Sequence, residues 1–118
     1  MKITIPVSVG ELIDKITILE IKSRFTSSEY VSKELEDLNK IKDTLFHFTV
    51  EYMDELREVN QKLWDIEDEI RDLEKKQDFS ERFIKLARSV YLTNDKRALI
   101  KKKINEQTNS EYSEVKLY

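Results

Sequence analysis

The chain has 118 residues, with 21 Lys and Arg against 24 Asp and Glu, a formal net charge of −3. Charged residues make up 38%, against about a quarter in ordinary globular domains. One Gly, one Pro and no Cys exclude turn-rich sandwiches and small barrels, disulfides, thiolate metal sites and thiol catalysis.

The first element opens at Ser8-Val9-Gly10-Glu11, which has the form of a capping box. A helix is predicted over about 9–24. Its apolar residues Leu12, Ile13, Ile16, Ile18, Leu19 and Ile21 cover a wide arc, as in a helix buried on more than one side. Thr26-Ser27-Ser28-Glu29 is the next start signal. Val31, Leu35, Leu38, Ile41, Leu45 and Phe48 then recur at threes and fours. Tyr52, Leu56, Val59, Leu63, Ile66, Ile70 and Leu73 follow at 4-3-4-3-4-3, a heptad seam. Two readings stand: an antiparallel pair over about 28–47 and 50–76, or one helix of about 48 residues, about 70 Å long. Crowding at Leu45-Phe46-His47-Phe48 places a bend there. Asp78-Phe79-Ser80-Glu81 starts a further helix, Thr93-Asn94-Asp95 reads as a stop and restart, and the last helix reaches about Glu106. Ile3 and Ile5, and Val115 and Leu117, alternate with polar residues, the strand period. The two ends either pair as a short β-ladder or fray.

Charge is segregated. Residues 51–81 hold 5 positive and 12 negative side chains, and residues 82–103 hold 8 positive and 1 negative. The two stretches either neutralise one another by packing side by side or across a dimer, or hold an anion between them. Arg88, Tyr91, Asn94, Asp95, Arg97 and Lys101 form the candidate anion site. A helix restarting at Asn94 would present free amides to such a ligand.

No catalytic constellation is visible. His47 is the only histidine, and the default for a lone histidine between two phenylalanines is structural. No Cys and a single His argue strongly against nitrogen and sulfur metal sites, and no metal or cofactor is expected. Asp65, Glu67, Asp68 and Glu69 read as a solvated face. No Gly-x-Ser-x-Gly elbow or Gly-rich phosphate loop is present. A second polar set comprises Glu11, Asp14 and Lys15 on the opening helix with Trp64, Glu67 and Asp68. If the opening helix is central, its polar groups must be paired. Trp64 beside the seam is expected to pack into a neighbouring helix, with ligand stacking as the alternative.

Three stretches carry a resemblance: Ser8 to Lys22 (SVGELIDKITILEIK), Leu63 to Asp68 (LWDIED) and Leu86 to Ala98 (LARSVYLTNDKRA). Together they resemble a small bacterial family of uncharacterised proteins of about this length. The resemblance spans nearly the whole chain. It implies an accessory role, since that family is associated with gene neighbourhoods for glycosyltransfer and surface polysaccharides. A fainter likeness to the all-helical chorismate mutases rests on Asp95-Lys96-Arg97-Ala98 and Arg57. The remaining cations such a site needs are unmatched, so pericyclic catalysis is unsupported.

The expectation is therefore a single all-α domain over 1–118, an antiparallel bundle of four to five helices with the 50–76 seam exposed to a partner helix. The expected role is a non-enzymatic interaction protein, with a protein partner or a second copy. The alternative is a binder of, or enzyme on, an anionic metabolite or nucleotide sugar, using residues 82–103. The longest apolar run is too short to span a membrane, and Met1 to Val7 lacks the apolar core of a signal peptide, so a cytoplasmic location is expected. A pI near 5.3 argues against nucleic acid.

Overall fold

The computed structural model describes residues 1–46 and 50–118. It is all-helical: α1 (Val9–Ser23), α2 (Glu29–Leu45), α3 (Met53–Lys75) and α4 (Glu81–Gln107). Helix α1 is central as expected and packs on each of the other three. Leu12, Ile13, Ile16, Leu19 and Ile21 are buried on it, and each such side chain contributes about 1.5–3 kcal/mol. Val50, Met53, Leu56, Ile100 and Ile104 close the core over Leu12, Ile13 and Ile16.

Residues 28–76 form two helices. The chain leaves α2 at Phe46 in extended conformation and enters α3 through Tyr52 at φ 68°, a left-handed turn that ends helical continuity. His47 and Phe48 lie outside the described residues. The pairing differs from expectation: α3 packs most extensively on α4, and α2 packs on α1. The short 76–80 connection makes α3 and α4 a hairpin, and the seam turns inward. Leu56, Ile66 and Leu73 are buried, and Tyr52, Val59, Leu63 and Ile70 are half-buried. The seam is thus covered within the chain in part, with three of its seven residues buried and four half-buried.

The predicted break at Thr93-Asn94-Asp95 does not occur; α4 runs through it for 27 residues. Thr93 is buried, as are Ile100 and Ile104 on the same helix, and this packing outweighs the local preference of Asn and Asp for caps. Among the described residues there is no fifth helix, and no helix begins at Asn94. No strand occurs among the described residues. The ends contact different helices: Lys2 lies 3.9 Å from Asp37 of α2, while Glu114 lies 3.3 Å from Lys101 and Lys116 3.3 Å from Asp95, both on α4. They therefore do not pair.

Candidate functional site

The N-terminus of α1 is saturated from within. Ser8 Oγ accepts from the Glu11 amide at 3.1 Å, half of the expected capping box. The Glu11 carboxylate does not close the other half; it accepts from Lys101 Nζ at 2.7 Å. The Val9 amide donates to Ser110 Oγ at 3.1 Å and the Gly10 amide to Asn105 Oδ1 at 2.6 Å. Gly10 is required here, because a Cβ would sit 2.7 Å from the Lys101 carbonyl oxygen.

One turn further along α1, Asp14 is 1% exposed. Its carboxylate takes both Nε (2.9 Å) and Nη2 of Arg97. Asn60 Nδ2 donates to Asp14 Oδ1 at 2.9 Å and to Thr17 Oγ1 at 2.8 Å. Thr17 in turn donates to the Asp14 carbonyl at 2.8 Å. A buried carboxylate needs this density of donors, since its desolvation is offset only by paired, hydrogen-bonded partners. Hydrogen bonding to Asp14 raises the Arg97 pKa above its already high usual value, against burial. Lys101, itself 8% exposed, adds a third cationic contact at 3.8 Å from Asp14. Burial pushes the Lys101 ammonium down, but the Glu11 hydrogen bond and the charges of Asp14, Glu11 and Glu114 carry it above the usual lysine value.

Two grooves flank α4 and share Val90, Asn94 and Arg97. The first, about 780 Å³, lies between α4 and the C-terminal segment and includes Tyr91, Asp95 and Lys101. The second, about 590 Å³, lies between α1, α3 and α4 and includes Asn60, Trp64, Glu67 and Asp68. The two residue sets expected from sequence thus meet at Asn94 and Arg97. Trp64, expected to pack into a neighbouring helix, is half-buried, and its ring stacks at 5.3 Å on the exposed Phe25 in the turn after α1. Arg88 is exposed and lines neither groove. Lys15 is also exposed and pairs with Glu34 of α2 at 3.0 Å, away from the buried set.

The acidic and basic stretches do pack side by side, yet only Arg82–Glu69 joins α3 to α4 as an ion pair among the described residues. The inner cations of α4 reach α1 and the C-terminal segment instead, as Arg97–Asp14, Lys101–Glu11 and Lys101–Glu114. Sequence reasoning missed Thr17, Asn60, Asn105 and Glu114. Asn60 carried a signal: Met53, Asn60 and Glu67 recur every seven residues beside the seam. That flank faces α1. No group of His, Cys, Asp or Glu that could hold a metal occurs among the described residues. No helix of the described residues is long and apolar enough to cross a membrane.

The profile described as a family of unknown function, DUF6165, matches residues 1–118. The chain belongs to this family. No curated protein and no solved structure matches it. Membership covers the buried Asp14–Arg97 pair and both grooves.

Proposed function

We propose that the protein is a non-enzymatic helical interaction protein whose main docking face is the outer side of α4. The observation that carries this is the balance of apolar surface. Seventeen large apolar side chains are exposed among the described residues, against twelve buried hydrophobic ones. Exposed apolar side chains gathered on one helix face mark an interaction site. On α4, Ile84, Tyr91, Leu92 and Leu99 are exposed, and their seven- and eight-residue spacings put them on one face. Arg88, Lys96 and Lys102 lie on that face, exposed and without an ion pair among the described residues. The complementary partner is a protein presenting an amphipathic helix with an apolar stripe and acidic flanks.

The sequence resemblance adds a place to this proposal: an accessory role beside glycosyltransfer or surface-polysaccharide enzymes in a bacterial cytoplasm. The anion-site alternative has less support, because Arg97 and Lys101 are already held by carboxylates and Arg88 lies outside both grooves.

The test is affinity capture from the source cell with the full chain and with a Leu92→Glu/Leu99→Glu variant, alongside light scattering of the purified chain. The proposal expects one identified protein, a glycosyltransfer enzyme, held by the native chain at low salt and lost with the variant. Equal capture by both chains contradicts it. So does a stable homodimer unaffected by the two substitutions.

A further inference from the structure

The groove between α1, α3 and α4 has features that docking on the outer face of α4 does not use. Its apolar lining is Ile18, Ile21, Leu63 and Val90, together with Trp64, one face of whose ring is taken by Phe25. Its volume of about 590 Å³ is within the usual range for small-molecule sites, about 300–1,000 Å³.

The polar groups of the wall limit what it can take. Asn60 is 4% exposed, and its Nδ2 is committed to Asp14 and Thr17, which leaves Oδ1 as the acceptor it offers. Arg97 has Nε and Nη2 committed to Asp14, which leaves Nη1 as a donor. The Asn94 side chain makes no hydrogen bond, and Asp68 no ion pair, among the described residues; both line the groove. Donors and acceptors are therefore mixed: Asn60 and Arg97 are fixed from behind by Asp14, while Asn94 and Asp68 keep their full hydrogen-bonding capacity. Arg97 is neutralised by Asp14, and Arg71 lies 3.6 Å from Glu67. An inorganic anion finds no uncompensated cation here. A purely apolar ligand would strand Asn60 and Arg97 without water, at a cost that opposes binding. A ring bearing several hydroxyls meets both conditions. Each hydroxyl donates and accepts, and the C–H face of the ring suits an aromatic wall.

We propose that this groove binds a hydroxylated sugar ring, with Trp64 as the stacking surface, Asn60 and Asp68 as acceptors from hydroxyls, and Asn94 and Arg97 as donors to them. The site is independent of the α4 docking face and stands or falls separately.

Trp64 is the only tryptophan, so emission excited selectively at tryptophan, beyond tyrosine absorption, reports on the surroundings of Trp64. The experiment titrates the full chain with free hexoses, N-acetylhexosamines, hexuronates and inorganic phosphate, following emission and, in parallel, calorimetry. The expected result is a saturable change with at least one sugar and none with phosphate. Asn94→Ala and Asp68→Ala are each expected to weaken that sugar by about tenfold, the scale of one hydrogen bond to a charged or fixed group. Both positions are at least partly exposed, so the melting temperature should hold, which separates lost binding from lost folding. Three outcomes overturn the proposal: no saturable response to any sugar by either method, a phosphate response equal to that of the sugars, or unchanged affinity in both variants.

Discussion

Gly10→Ala is a substitution whose sign the structure decides. At an open helical position the change stabilises by about 1 kcal/mol, because alanine is the better helix former. At Gly10 the new Cβ would lie 2.7 Å from the Lys101 carbonyl oxygen and 2.9 Å from Asn105 Oδ1. The first obstacle is backbone in the interior of α4 and cannot swing away, so α1 must lift from α4. Overpacking of this kind costs about 1–3 kcal/mol. The same movement stretches the 2.6 Å bond from the Gly10 amide to Asn105, a further loss of about 0.5–1.5 kcal/mol. Set against the helix-propensity gain, the balance is a destabilisation of about 1–3 kcal/mol. Urea unfolding followed by far-UV circular dichroism measures it directly. Asn105→Ala in the same chain should not rescue the loss, since the carbonyl obstacle remains. A Gly10→Ala protein more stable than the native one would refute the close α1–α4 contact.

Two further outcomes follow from the caps and the charges. Ser8→Ala should cost about 1 kcal/mol, the usual value of an N-cap hydrogen bond, whereas Ser28→Ala should change little because Ser28 makes no capping bond through its side chain; comparing the two urea midpoints checks this. Lys101 is raised above its ordinary value of 10.5 in the fold. A raised folded pKa contributes stability that is fully present below the unfolded value and lost as pH rises through the folded one. Stability should therefore fall on the alkaline side of about pH 10.5, and Lys101→Met should remove part of that fall in a pH series of thermal melts.

The helical architecture was legible where periodicity met a start signal. Ser8 and the apolar arc of α1 gave a central helix with nearly its observed bounds, and the heptad spacing from Leu56 to Leu73 gave α3. What periodicity does not carry is the partner. The same six residues would suit a homodimer seam or the α3–α4 hairpin, and only the short 76–80 turn distinguishes them. Thr93-Asn94-Asp95 misled for a different reason: propensities of a few tenths of a kcal/mol were overridden by burial of Thr93, Ile100 and Ile104. The site was legible in part. Asp14 on an apolar helix had to be paired, but its partners lie 46 and 83 residues away. No local pattern links Asp14 to Asn60 or to Arg97. The segregated charge was real, yet the basic residues of α4 are used on α1 and the C-terminal segment more than on the acidic helix beside them.

The buried Asp14–Arg97 pair joins α1 to α4, and Arg97 lines both grooves. A double-mutant cycle with Asp14→Asn, Arg97→Met and the combination, read by urea unfolding, tests it most directly. With Asp14 1% exposed, Arg97→Met alone should cost about 3–5 kcal/mol by leaving a buried carboxylate underpaired. The combination should recover much of that, giving a coupling of about 2–3 kcal/mol. A coupling below about 0.5 kcal/mol, the scale of a solvent-exposed pair, would contradict the account.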